Sequence, residues 1–366
     1  MFDTDATFSF PHSTCRIMAG SGAPETIAAF VNKIDCSSAF IVTDKNVYRH
    51  HGHLLRSLLQ NIECPSAMHV IPAGEMTKSY RYQIEIHKWL LDSGADRNSV
   101  LLGAGGGVVC DLVGFAAATF MRGISHILIP TTLVAQVDAA IGGKNGINLP
   151  NAKNMIGTVK QPLSIIADPL FLSTLKREHV REGMSELVKM ALVRSRKLAG
   201  LLDSFREAGT GGGDSFLPRI IEVGIRLKLE IIKRDPFESG LRKTLNFGHT
   251  TAHALEVIGS YRRRMPHGKA VAFGMLVALE MSQKLCSLSD ETRIWGHDQI
   301  RSLYKSFPIA DSSPEAVWEV ISRDKKRVGR DIQFVLLESF AKPVLRTVNR
   351  REFSRAFMKV SKSWSK

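Results

Sequence analysis

The sequence predicts an α/β protein, with a Rossmann-like parallel-sheet domain over residues 1–165 and a mainly α-helical domain over residues 166–366. Three observations carry this. Short apolar runs alternate with helically spaced segments through the first half, the pattern of successive βαβ units. A glycine-rich turn separates one such run from a helix. After "PLSIIADPLFLSTLKREHV" the segments lengthen and become amphipathic, as in "GMSELVKMALVRSRKLAGLLDSF", "FLPRIIEVGIRLKLEIIKRD" and "AVAFGMLVALEMSQKLC". At 366 residues the chain also exceeds the size of roughly 250–300 residues at which single cores stop growing.

Taken in order, "SSAFIVTDKNV" reads as a buried strand ending in polar residues, "AMHVIPAGEMTK" as a second strand with a loop, and "SYRYQIEIHKWLLDSGADR" as a helix. "SVLLGAGGGVVCDLVGFAAATFMRG" is apolar for about the length of a membrane span. Its triple glycine would weaken a helix, however, and Asp111 interrupts it. Both features fit a strand "SVLLGA", a turn at Gly105–Gly107 and a helix "VVCDLVGFAAATF". "HILIPTTL" is a further strand, the polar "VAQVDAAIGGKNGIN" follows it, and "REAGTGGGDS" is expected to be a loop within the second domain.

The composition, 44% hydrophobic and 23% charged, is that of an ordinary soluble protein. The first residues carry acids and no apolar core segment, so export is not expected and the cytoplasm is the expected location. Five scattered cysteines without a CxxC spacing argue against a disulfide framework or thiolate zinc site and for reduced, mostly buried thiols. The net charge of +14 admits an anionic substrate, nucleic acid or a merely basic surface. Basic residues cluster only modestly, at "SYRRR", "DKKRVGR" and the C-terminal tail, and no aromatic-interleaved nucleic-acid motif accompanies them.

Two places carry chemistry. A glycine turn between strand and helix offers backbone N–H groups to an anion, so "GAGGGVVCD" is a candidate pyrophosphate site, although it lacks the spaced G-x-G-x-x-G pattern. In "NFGHTTAHALE", His249 and His253 stand four apart on one helix face, and His267 follows a short loop. A carboxylate is available from "GMSELVK", where Glu186 and Lys189 lie one turn apart. Spacing leaves two readings open: paired metal ligands, or two histidines that only line a core or surface.

From about residue 71 to 340, motifs in order resemble the 3-dehydroquinate synthase family. They are "GEMTK", "GGGVVCDLVGFAAATFMRG", "PTTLVAQVDAAIGGKNGIN", "KNMIG", "SELVK", "DPFESGLRKTLNFGHTTAHALE", "HGKAV" and "RDKK". The resemblance implies a divalent metal, zinc or cobalt, on Glu186, His249 and His267, with His253 facing the substrate instead. It implies NAD on Asp44, Asn46, Glu75, Lys78, Gly106, Gly107, Asp111, Thr131, Thr132, Asp138 and Lys153. It implies substrate contacts at Lys144, Asn154, Lys189, Lys228, Arg242, Asn246 and His253, with Lys325 or Lys326 near the phosphate. The family's substrate, 3-deoxy-D-arabino-heptulosonate 7-phosphate, carries a carboxylate and a phosphate, which suits so many cations. The implied reaction is transient oxidation by NAD, phosphate elimination, reduction, ring opening and aldol closure to 3-dehydroquinate. The implied partner is this sugar phosphate; the residues themselves argue against nucleic acid and membrane, and the sequence admits a homodimer without fixing the oligomeric state.

Cyclases that make valiolone- or inosose-type rings share the fold, but typically alter positions equivalent to Lys228, Asn246, His253 or the "GGK" at Lys144, all retained here. Metal-dependent glycerol and alcohol dehydrogenases act on uncharged alcohols and have no need of a lysine-rich pocket. One departure stands beside a proposed ligand: Lys269 in "HGKAV" occupies a position where the family usually has Glu, and it is expected to point outward.

Overall fold

A computed structural model describes residues 2–10, 13–20, 22–149, 152–212, 215–258, 265–309, 312–323, 327–328 and 331–364. The chain divides into two compact units, Met1–Val180 and Arg181–Lys366. Residues 166–180, assigned from sequence to the second domain, fall in the first unit. There Gln136 Nε2 donates to the Asp168 carbonyl at 2.8 Å, and Phe171 is buried in that unit's core.

The first unit contains β1 (Phe2–Phe10), β2 (Ser13–Gly20), α1 (Ala23–Val31), β3 (Ala39–Asp44), α2 (Lys45–Gln60), β4 (Ser66–Ile71), α3 (Tyr80–Asp92), β5 (Val100–Gly105), α4 (Gly107–Thr119), β6 (Ser125–Pro130), β7 (Lys144–Leu149), β8 (Ala152–Val159) and β9 (Ser164–Ala167). Seven strands form one sheet in the order β1-β2-β9-β6-β5-β3-β4. All neighbours are parallel except β1, an antiparallel edge strand. From β3 the chain moves outward to β4, then returns to β5 on the other side of β3 and continues to β6. Right-handed crossovers therefore send α2 to one face and α3 and α4 to the other. The crevice beyond the carboxyl ends of β3 and β5 is thus a topological switch point, where open α/β sheets bind their ligands. β7 and β8 form a separate antiparallel hairpin against α4. The close fit there requires Gly114, since a Cβ at that position would lie 1.9 Å from Asn145 Oδ1.

The second unit takes in most of α5 (Arg177–Arg194), then α6 (Arg196–Gly212), α7 (Leu217–Arg234), a 3-10 turn at Leu241–Asn246, α8 (His249–Ile258), α9 (His267–Cys286), α10 (Asp290–Leu303) and α11 (Pro314–Ser322). It closes with β10 (Arg327–Val328), β11 (Asp331–Ser339), β12 (Lys342–Val348) and α12 (Arg350–Trp364). The antiparallel sheet β10-β11-β12 was not anticipated. Ile332 and Phe334–Leu337 are all buried, so β11 lacks the alternation that marks a half-exposed strand. Its turn also carries no glycine, and Ala341 takes the left-handed position at φ 61°.

Three further expectations need correction. "GMSELVKMALVRSRKLAGLLDSF" is two helices broken at Ser195, not one segment. "REAGTGGGDS" is not a loop as far as Gly212, because α6 runs through it. Of the five cysteines only Cys15 and Cys110 are buried; Cys36, Cys64 and Cys286 are half-buried, and all five are free thiols. Among the described residues, no helix is long and apolar enough to cross a membrane.

His126 on β6 is fully buried, and neither ring nitrogen has a hydrogen-bond partner among the described residues. Burial, aided by Lys160, pulls its pKa down to about 3. An unfolded histidine titrates near 6.5, so below that pH the unfolded chain takes up a proton that the folded chain refuses. Stability from this residue is complete above pH 6.5 and is lost as the pH falls toward 3. Urea unfolding at neutral pH and two units below pH 6.5 should show the parent losing ~2–3 kcal/mol more than His126→Leu. Parallel losses in the two proteins would contradict a neutral, buried imidazole.

Candidate active site

At the switch point of the first unit, Asp44 ends β3 and caps α2, its Oδ1 accepting from the backbone N–H of Asn46 at 2.8 Å and of Val47 at 3.1 Å. Gly106 caps α4, and its neighbour Gly107 opens that helix. A Cβ on Gly106 would sit 3.0 Å from Thr132 Cγ2, and one on Gly107 would sit 3.2 Å from Ala139 Cβ. The glycines keep the backbone and the N-terminus of α4 uncovered, and backbone amides at a helix N-terminus are suited to an anion. Thr131 and Thr132 continue from β6, and Asp138 lies on a wide helical turn at Ala135–Ala139.

Beside this, Lys78 is buried, with its ammonium 2.5 Å from Asp111 Oδ2 and in contact with Asn154 Oδ1. Asn154, at a left-handed φ of 56°, takes its own N–H to Asn148 Oδ1 at 3.0 Å. Asn148 in turn donates to Glu75 Oε1 at 2.7 Å. Glu75, Lys78, Asp111 and Asn154, expected from sequence to serve two different ligands, therefore belong to one polar network. Lys144 and Lys153 are exposed on the hairpin.

In the second unit, α5, α8 and α9 converge on Glu186. Gly248 makes this possible: at φ +81° it turns the chain into α8, and its carbonyl oxygen would lie 2.0 Å from a Cβ on Gly274 of α9. With no side chain at that crossing, His249 and His267, the first residues of α8 and α9, have ring centroids 5.5 Å apart. Glu186 Oε1 lies 3.3 Å from His267 Nε2 and 3.7 Å from His249 Nε2. Its Oε2 pairs with Lys189 one turn along α5. Ligand atoms of Glu186, His249 and His267 all lie within 4.8 Å of one another.

The histidines are oriented from behind. His249 Nδ1 faces the Phe247 carbonyl at 3.3 Å, and His267 Nδ1 faces Glu256 Oε1 at 3.2 Å, so both Nε2 atoms point toward Glu186. Such outer partners fix the tautomer and aim of metal-ligating imidazoles. Sequence reasoning missed Glu256. Its signal was its position seven residues after His249, two turns along the same face of α8.

Burial works to raise the Glu186 pKa, but Lys189, His249 and His267 outweigh it and hold the carboxyl well below its usual range. Burial, helped by Lys189, keeps His249 neutral. Burial opposes a charge on His267 as well, yet the two carboxylates beside it raise its pKa to about 10. One neutral imidazole, one ionised carboxylate and one imidazole whose proton a dication would displace make a donor set that fits a zinc-like metal.

His253 lies outside this cluster. It is exposed, with its ring edge-on to His249 at 5.6 Å, so the paired-ligand reading of the i, i+4 spacing does not hold. Lys228 on α7 and Arg242 on the 3-10 turn are buried cations. Asp235 fixes the loop that carries Arg242, accepting from the N–H groups of Ser239, Gly240 and Arg242 at 2.7–2.9 Å. Burial opposes ionisation of Asp235, but these bonds keep it well below the usual carboxylate range. Asn246 Nδ2 donates to Glu238 Oε1 at 2.6 Å. Lys325 and Lys326 lie outside the described residues.

The same fold occurs in 2-deoxy-scyllo-inosose synthase complexed with carbaglucose-6-phosphate, NAD+ and Co2+, with a TM-score of 0.87 at 21% identity over 97% of this chain and 99% of that one. It occurs also in 2-epi-5-epi-valiolone synthase from Streptomyces hygroscopicus subsp. jinggangensis with NAD+ and Zn2+ bound, with a TM-score of 0.85 at 24% identity and the same coverage. The fold is therefore that of the sugar-phosphate cyclases. Within that class, the 3-dehydroquinate synthase N-terminal family model matches residues 68–182 and the C-terminal one residues 183–327. A 3-dehydroquinate synthase of Acidithiobacillus ferrooxidans is 35% identical over 334 residues, 90% of each chain. The chain belongs to the 3-dehydroquinate synthase family.

Lys269 does not point freely outward as expected. It is half-buried, with its ammonium 5.8 Å from the ring centroids of both Tyr304 and Phe307. Burial and the nearby Arg181 lower its pKa. In Lys269→Glu the loss of the ring contacts, about 0.5–1 kcal/mol each, is offset by a favourable carboxylate in the first turn of α9, about 0.3–1 kcal/mol, and by Arg181. Metal titration of that variant should give an affinity within a few-fold of the parent. A gain of tenfold or more would show that the ammonium acts on the ligands.

Proposed function

We propose that the protein is a 3-dehydroquinate synthase of the shikimate pathway, converting 3-deoxy-D-arabino-heptulosonate 7-phosphate to 3-dehydroquinate and phosphate. The observation that carries this is the convergence of Glu186, His249 and His267 in a chain of that family which also keeps Lys144, Lys228, Asn246 and His253. When bound, a zinc or cobalt ion would polarise a substrate hydroxyl and NAD would take and return a hydride within one turnover.

The chain's own residues do the rest. Glu186, His249 and His267 hold the metal, Glu256 and the Phe247 carbonyl keep the imidazoles aimed, and Lys189 balances the Glu186 charge. Asp44, Asn46, Thr131, Thr132, Asp138, Lys153 and the amides at Gly106–Gly107 bind NAD at the switch point. Glu75, Lys78 and Asp111 brace that side, with Asn154 joined to them through Lys78. Lys144, Lys228, Arg242 and Asn246 take the substrate's carboxylate, phosphate and hydroxyls, with Lys325 or Lys326 at the phosphate. In this reading the exposed His253 beside His249 exchanges a proton with the substrate. The protein is assigned to the cytoplasm, acting on a free sugar phosphate, with a homodimer as the assembly and neither nucleic acid nor membrane as partner.

Full-length protein given the heptulosonate phosphate, metal and NAD far below the substrate concentration should release phosphate well in excess of the NAD supplied, without accumulating NADH. NADH rising in proportion to product would overturn the cyclase assignment in favour of a dehydrogenase.

A further inference from the structure

Cys36 and Cys64 are 28 residues apart in sequence, yet their Sγ atoms lie 3.7 Å from each other. Cys36 is in the loop between α1 and β3, and Cys64 is in the loop between α2 and β4. β3 and β4 are parallel neighbours, with Ala39 paired to Ser66, so the two loops meet at the amino-terminal edge of the sheet. This is the end opposite to Asp44 and the glycine turn. Both thiols are half-buried, whereas Cys15 and Cys110 are buried. Each packs against the first unit's core while remaining only partly buried.

We propose that Cys36 and Cys64 are a modification site, a thiol pair that a hydroperoxide converts to an intrachain disulfide. The sulfurs need to close from 3.7 Å to the S–S bond length of about 2.05 Å, a movement within the reach of two loop residues. In the first step one thiolate attacks the peroxide, an S–O bond forms, the O–O bond breaks, and hydroxide leaves and is protonated to water. In the second, the other thiolate attacks the sulfenic sulfur, the S–S bond forms, the S–O bond breaks, and a second water leaves. Two electrons pass from the two sulfurs to the peroxide.

The surroundings set the rate. Burial, followed by the hydrogen bond and charge of Cys64, raises the Cys36 pKa to about 11, so this sulfur is a thiol at neutral pH and oxidation accelerates as the pH rises. The link closes a loop containing all of β3 and α2, and cross-linking restricts the unfolded chain. Because it forms at the far edge of the sheet, it stabilises the first unit without reaching the residues at the switch point.

The test is a thiol count. Full-length protein treated with hydrogen peroxide, then denatured, should fall from five titratable thiols to three, with peptide mapping joining Cys36 to Cys64. The oxidised protein should melt several degrees higher than the reduced one, and dithiothreitol should reverse both changes. Cys36→Ser and Cys64→Ser should each retain their remaining four thiols under the same treatment. A titre that stays at five, a link that includes Cys286, or oxidation to sulfinic acid without a link would overturn the proposal.

Discussion

The second unit is organised around one buried charge, the carboxylate of Glu186. An ionised group that is 2% exposed persists only where opposite charges and polar atoms surround it closely. Lys189, His249 and His267 supply those partners from three helices. Those helices reach so narrow a space because Gly248 and Gly274 carry no side chain at the crossing of α8 and α9, and because Gly268 lets α9 start against α5, where a Cβ would lie 2.3 Å from Glu182 Cα. Packing and chemistry are thus one constraint: the backbone contacts that glycine permits are the ones that bring the donors together.

The first unit solves a different problem with the same economy of side chains. Its parallel strands change direction of progress between β3 and β5, and β5 leads directly into Gly106 and Gly107, which lack a side chain. Backbone amides and a clear surface at such a point suit an anionic group, and the glycine turn provides both. The buried Lys78, its half-buried partner Asp111 and the extension through Asn154, Asn148 and Glu75 tie the β7/β8 hairpin to the body of this unit.

Much of this was legible in the sequence. The strand, turn and helix around Gly105–Gly107 and the helix that carries both His249 and His253 follow from local pattern, because glycine placement and periodicity act over a few residues. The different burial of His249 and His253 was not legible from spacing, since an i, i+4 pair places both rings on one face and only tertiary packing decides which is buried. Glu256 escaped notice for a related reason: its role depends on a ring contributed by another helix. β11 was missed because a strand buried on both sides does not alternate, and its turn to β12 uses Ala341 where a glycine or asparagine would have signalled it. The thiol pair Cys36–Cys64 was hidden by its separation in the chain. Lys269 shows the limit in the other direction: its departure from the family was visible, but its environment of two aromatic rings belongs to the segment after α10.

The central claim is that Glu186, with His249 and His267 and without His253, forms the metal site. Elemental analysis of the parent, Glu186→Gln and His253→Ala, each dialysed against zinc and then freed of excess, tests it most directly. The parent and His253→Ala should each keep one zinc per chain while folded Glu186→Gln keeps none. Zinc retained in full by Glu186→Gln, or lost from His253→Ala, would contradict it.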